Sequence, residues 1–341
     1  QRKAEYEASL QQDPQESTEL PKVEIAAKSE PSRLPLSRLW LTEDLRQPGN
    51  VLPYETDGGV QFVVNDGYRA VAVLDAQGAV VAEHDLPLPE GVVVSFVRTA
   101  VGDGKRYFVA TASTQKQAYV FDEEWNLVLS YPETGAAEVA DVQIADLEGD
   151  GELELVVSYW GTDGVERVTL DGERTWTEKS RENVFRMAVL PEPSGEAQVL
   201  CAHQGGTLLP ISADGTPGET LQVASRFLRY VIAGGDGTLC GLAPTGLGTE
   251  SVVGIGRDGG ELWSYALPQG VHEQPIELLT DGSWEGNPGA CWLVAAADGS
   301  IHVIDRAGTL VDRFNYGKAV TGSAAAQIEG QDVLIAASAD G

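Results

Sequence analysis

The sequence predicts an all-β chain folded as a β-propeller of seven four-stranded blades, closed by a strand from the N-terminus. Three observations carry that expectation. A unit of strand, polar turn, strand, Gly turn and strand recurs along the chain. Its cleanest copies are FVVNDGYRAVAVLDAQGAVVAEHDL (62–86), FVATASTQKQAYVFDEEWNLVLSYP (108–132) and LVVSYWGTDGVERVTLDGERTWTEK (155–179). The aspartates that end the middle strand are Asp75, Asp122, Asp171, Asp214, Asp258 and Asp305, at successive differences of 47, 49, 43, 44 and 47. Composition agrees, since 39 glycines against one methionine describe many tight turns between short strands. A nearly constant period of this length, filled with short strands, marks four-stranded blades that bury their faces against one another.

A further strand precedes each unit: NVLPYET, VVSFVRTA, VADVQIAD, VFRMAVLP, FLRYVIAG, PIELLTD and GSAAAQIE. The last of these leads only into DVLIAASADG, so the seventh blade shows two strands. SRLWLTEDL (37–45) has the look of the outer strands GELWSYAL and ERTWTEK, and is expected to complete that blade. A ring closed in this way has no open edge to invite aggregation. Residues 1–33 are polar and proline-punctuated, which predicts a flexible tail or a linker from an upstream domain, with the propeller over 34–341. The chain starts at Gln1 without an initiator Met or a secretory apolar core, as expected of a processed product or a fragment.

The charge balance excludes whole classes of partner. With 52 Asp and Glu against 23 Lys and Arg, the formal charge is −29. Nucleic acid and anionic lipid both require basic surface. No apolar run approaches the ~20 residues of a membrane-spanning helix. The three cysteines lie singly in apolar stretches and show no paired metal-binding spacing.

The stretch ADLEGDGELELVV (145–157) is the sharpest local signal. Carboxylates fall at alternate positions, Asp146, Glu148, Asp150, Glu152 and Glu154, with Gly149 and Gly151 freeing the backbone to coil. Alternating oxygens on a coiled loop converge on one point, and hard oxygen donors suit Ca²⁺. This stretch resembles the FG-GAP (VCBS-like) propeller repeat, whose signature is an acidic D-x-D-G-D-G-x-x-D run before an apolar strand. The resemblance implies a structural Ca²⁺ held by the side chains of Asp146, Glu148, Asp150 and Glu154 and the carbonyl of Glu152. Glu148 and Glu154 depart from the pattern, each one methylene longer than the usual Asp. The spacing G-x-x-x-W at Gly172–Trp176 and Gly259–Trp263 resembles the PQQ-like propeller repeat, whose Trp docks between neighbouring blades. The two likenesses together cover residues 39–341. Calcium-loop propellers of this kind are extracytoplasmic, which implies a secreted or periplasmic location.

No catalytic constellation stands out. His84, His203, His272 and His302 form no metal-binding pattern, and no nucleophile elbow, P-loop or dinucleotide fingerprint occurs. GIGRDGG (254–260) lies between two strands and reads as a hairpin turn. Cofactor chemistry of the quinoprotein type is not expected with the Trp motif clear in two blades only. Trp160 and Trp284, near strand ends, are candidate anchors of an interface. The expectation is a non-catalytic binding scaffold presenting a propeller face to a protein or carbohydrate. The alternative is an accessory propeller of a larger extracytoplasmic enzyme, for example a thioredoxin-like or hydrolytic one.

Overall fold

A computed structural model describes residues 32–111, 115–135, 137–203, 205–223, 227–234, 236–246, 248–270, 279–284 and 287–338, with the side chains of 279–290 left out. Its strands form seven sheets in chain order. Blade 1 holds β1 (Pro48–Thr56), β2 (Gly59–Asp66), β3 (Ala70–Leu74) and β4 (Val80–Asp85). Blade 2 holds β5 (Phe96–Gly102), β6 (Lys105–Thr111), β7 (Ala118–Phe121) and β8 (Leu127–Tyr131). Blade 3 holds β9 (Val139–Ala145), β10 (Glu154–Tyr159), β11 (Val165–Thr169) and β12 (Arg174–Glu178). Blade 4 holds β13 (Val184–Pro191), β14 (Ala197–His203), β15 (Thr207–Ile211) and β16 (Leu221–Gln222). Blade 5 holds β17 (Tyr230–Ala233), β18 (Leu239–Gly246), β19 (Thr249–Ile255) and β20 (Glu261–Ala266). Blade 6 holds β21 (Leu279–Trp284), β22 (Asn287–Ala295), β23 (Ser300–Asp305) and β24 (Leu310–Asn315), and the seventh sheet is β25 (Val320–Ile328) with β26 (Gln331–Ser338).

Every neighbouring pair within a blade is antiparallel, and the first strands β1, β5, β9, β13, β17, β21 and β25 touch in succession round a closed ring. Burial follows from that stacking. The middle strands are covered on both faces by adjacent blades, so AVAVL in β3, AYVF in β7 and ELVVSY in β10 are buried at every residue. Outer strands are covered on one face only, and VVAEHD in β4 and ELWSYA in β20 alternate accordingly.

The six hairpins between third and fourth strands share one geometry. In each, the N–H of the fourth turn residue (78, 125, 172, 215, 259 or 308) donates to the carbonyl of the first at 2.9–3.1 Å. That fourth residue has φ between +63° and +86°, and it is glycine except at Trp125. The repeated aspartate takes two places in this turn. At the first position Asp75 Oδ1 accepts the N–H groups of Gln77 and Ala79, both at 2.9 Å. At the third position Asp214 Oδ1 accepts the Thr216 N–H at 2.9 Å. Either arrangement is an Asx turn, and for this reason the aspartate spacing wavers by a few residues.

Docking between blades uses these turns. The Trp176 indole in blade 3 lies on Gly215 of blade 4 and donates to Ala213 O at 2.9 Å. Trp263 of blade 5 lies on Gly308 of blade 6 and donates to Arg306 O at 2.8 Å. Residues 32–46 extend this device to blade 1. Arg33 N donates to Asp312 Oδ1 of blade 6 at 2.8 Å, Trp40 lies on Gly78 with Nε1 3.1 Å from Ala76 O, and Arg46 N donates to Asp66 Oδ1 at 2.8 Å.

The expected seven four-stranded blades closed by an N-terminal strand therefore need correction. Six sheets have four strands and the seventh has two, and residues 37–45 form no ladder. The physical reason is that this segment spends its polar groups on blade 1, through Trp40 and Thr42 side chains, rather than pairing its backbone with β26. Closure between β25 and β1 is made by side chains: Thr321 Oγ1 donates to Pro48 O at 2.5 Å, and Phe62, Val64 and Leu74 share a core with Ala324, Val333 and Ile335. Burying each large apolar side chain there contributes roughly 1.5–3 kcal/mol. Residues 1–31 of the expected tail lie outside the described residues.

Candidate interaction face and the acidic loop

The ring has two faces with different chemistry. Register places the starts of first strands and the ends of second strands at one end, as Val139 opposite Tyr159. The ends of first strands and the third-to-fourth turns lie at the other, as Ala145 opposite Glu154 and Glu154 opposite Thr169.

On the first face three rings run across three blades. Trp160, just after β10, stacks on Phe185 of β13 at 5.8 Å and 22°, and Phe185 meets Phe227, just before β17, at 4.7 Å. Phe185 is buried, whereas Trp160 and Phe227 are each 38% exposed. The site is held from the backbone: Trp160 N donates to Glu138 O at 2.9 Å, and Asn183 Oδ1 accepts the Gly161 N–H at 2.9 Å. Asp163 and Glu182 flank Trp160 and Phe185 along the chain, and Glu138 is brought beside Trp160 by its carbonyl. Of the two tryptophans expected at an interface, Trp160 belongs to this ladder; Trp284 ends β21, and its side chain lies outside the described residues. Phe185 and Phe227 were not legible as partners, because they come from separate blades.

The rings of His203 and His302 are held by hydrogen bonds within the fold. His203 Nδ1 accepts the Gly205 N–H at 3.1 Å, which leaves the proton of the neutral ring on Nε2. Burial and Arg181 hold this imidazole below its ordinary pKa. His302 is buried between Tyr265 Oη at 2.9 Å and Ser300 Oγ at 2.8 Å, and burial lowers its pKa to about 4. His272 lies outside the described residues.

The acidic loop sits on the opposite face. Asp146 Oδ1 accepts the Gly149 N–H at 2.7 Å and the Asp150 N–H at 3.2 Å, and Oδ2 accepts the Gly151 N–H at 2.8 Å. Asp150 Oδ1 accepts the Glu152 N–H at 3.0 Å. Glu154 is buried on β10; its Oε2 accepts the Leu147 N–H at 3.0 Å, and its Oε1 meets Arg167 Nη2 at 2.5 Å. Arg167 Nη1 reaches Glu148 Oε1 at 2.8 Å. The guanidinium holds Glu148 below the usual carboxylate range, while burial pushes Glu154 up. Among the described residues no three His, Cys, Asp or Glu side chains gather as a metal cage. As arranged, both oxygens of Asp146 and of Glu154 and one oxygen each of Glu148 and Asp150 already accept from Arg167 or backbone N–H groups, a poor fit for a resident Ca²⁺ that needs six to eight oxygen ligands.

Fold and faces together define a β-propeller with a partly exposed aromatic ladder on one face. No family model matches the chain, and no curated protein matches it in sequence. Solved structures do. A BBS1N domain crystallised in complex with ARL6DN is similar at 15% identity and a TM-score of 0.65, over 94% of this chain and 95% of that one. Virginiamycin B lyase from Staphylococcus aureus is similar at 11% identity and a TM-score of 0.60, over 82% of this chain and 88% of that one. Chaetomium thermophilum Raptor is similar at 14% identity and a TM-score of 0.62, over 88% of this chain and 27% of that one. At these identities the likeness establishes the fold. No described helix is long and apolar enough to cross a membrane.

Proposed function

We propose that this chain is a non-catalytic interaction scaffold that docks a protein partner on the face carrying Trp160, Phe185 and Phe227. The carrying observation is the half-exposed aromatic ladder crossing three blades. Rigid aromatic rings with a buried base and open edges supply large contact area at low entropic cost, as interface hot spots do. The similar BBS1N propeller was crystallised with a protein bound, which supports the reading by analogy of fold. The occupied rings of His203 and His302 agree with a non-catalytic role. A formal charge of −29 and the flanking Glu138, Asp163 and Glu182 favour a partner with a basic contact surface.

The test compares pull-downs from extracts of cells that make the protein, using wild type, the double variant Trp160→Ala/Phe227→Ala, and the opposite-face variant Glu152→Ala. A partner held saturably by wild type and Glu152→Ala but lost by the double variant supports the assignment. Equal retention by all three refutes it.

A further inference from the structure

We propose that Arg167 serves as the cation of the blade-3 loop, so that this acidic stretch is an arginine clasp between blades and takes no divalent ion. Arg167 stands on β11 opposite Val156 of β10 and Trp176 of β12. Its side chain is 7% exposed and that of Glu154 is 5%. Nη1 reaches both Glu148 Oε1 at 2.8 Å and Ala213 O of blade 4 at 3.1 Å, and Nη2 reaches Glu154 Oε1 at 2.5 Å. Planar donors at fixed angles suit this three-way bridge as a spherical ion with six to eight ligands does not. The Ala213 carbonyl also receives the Trp176 indole, so the loop, the docking tryptophan and the next blade meet at one atom.

Neighbouring blades supply an independent observation. Glu192, beyond β13 in blade 4, pairs with Arg257 of the blade-5 turn at 3.0 Å. Asp236, beyond β17 in blade 5, pairs with Arg306 of the blade-6 turn at 3.5 Å. In both, an acid at the end of a first strand meets an arginine at the second position of the following blade's turn. Blade 4 has Ala213 at that position. Its arginine is missing, and Arg167 of blade 3 reaches across to the Ala213 carbonyl instead. Three successive interfaces thus solve the same electrostatic problem with guanidinium. The extracytoplasmic expectation, which rested on a calcium loop, gains nothing from this stretch.

The test is thermal melting of the wild-type chain in CaCl₂ and in EGTA, with isothermal titration of CaCl₂ into the protein. The clasp predicts coincident melts and no saturable binding heat. A rise in Tm with calcium, or a saturable heat, overturns it. Arg167→Gln is expected to lower Tm by several degrees in EGTA, and an unchanged melt also overturns it. Should that variant fail to fold, Glu148→Gln, which removes the half-exposed arm alone, is expected to give a smaller fall; a Tm at the wild-type value would count against the clasp.

Discussion

Trp40 lies flat on Gly78: a methyl group at Gly78 would fall 2.5 Å from Cδ2 of the indole. The same contact, with the same indole hydrogen bond two residues before the glycine, joins Trp176 to Gly215 and Trp263 to Gly308. Trp40 thus takes the place of an outer-strand tryptophan for the two-stranded seventh sheet, and it does so without being on a strand. Trp40→Ala is expected to destabilise the chain by about 3 kcal/mol, the low end for a large aromatic truncation. Gly78→Ala should act in the same direction, since it adds both the clash and the cost of φ +78°. Denaturant unfolding checks both, and a midpoint unchanged in either variant would deny the contact its role.

Blade 2 reverses the arrangement. Trp125 holds the fourth turn position at φ +63°, stacks on Phe108 at 4.3 Å, and packs in the cluster that Ala82 of the preceding blade lines. Ala82 stands four residues after Gly78, as Trp176 stands four after Gly172 and Trp263 four after Gly259. The tryptophan has moved from one side of the interface to the other. Ala82→Trp and Trp125→Gly should each lower Tm, and the double variant should recover part of the loss. Strictly additive losses in calorimetry would show that the two positions do not share one space.

Much of this was open to reading in the sequence, and the limits have physical causes. The seven first strands and the Gly turns announce themselves because local backbone demands repeat with the blade. The likeness of SRLWLTEDL to outer strands led to a closing strand that does not form, and neither the unpaired backbone nor the docking of Trp40 on Gly78 was legible, because both depend on where polar groups find partners in the ring. Arg167 was invisible as the partner of Glu148 and Glu154. It lies 19 and 13 residues away, and only the register of β10 against β11 brings them together. Trp160 could be singled out alone, whereas Phe185 and Phe227 became its neighbours through the ring.

Buried His302 makes stability depend on acid. Its folded pKa of about 4 lies below the ordinary value, so the native state favours the neutral ring. Stability is complete above the unfolded pKa near 6.5 and is lost as pH falls from there to 4, by roughly 3 kcal/mol. Tyr265, Ser300, Asp298 and Arg313 face this ring, and of these Arg313 disfavours its protonation while Asp298 opposes the shift. Melting wild type and His302→Gln across that range should show a steeper fall for wild type. Parallel curves would place the titration elsewhere.

Glu166 accepts hydrogen bonds from Tyr131 at 2.8 Å, Tyr159 at 2.9 Å and Arg174 at 2.8 Å. Burial and this carboxylate push the Tyr131 phenol up to about 12 and Tyr159 higher still. These phenols favour the protonated native form, so their contribution is present below pH 10 and lost as pH rises toward 12. Ultraviolet titration should show two tyrosines ionising only as the chain unfolds; full titration of all tyrosines near pH 10 in the folded protein would contradict the network.

A crystal structure of the chain is the most direct measurement of the closed ring. It is expected to show β25 against β1, Thr321 on the Pro48 carbonyl, and the Trp40 indole on Gly78 with Nε1 at Ala76 O. A gap between β1 and β25, or residues 32–46 lying away from blade 1, would contradict it.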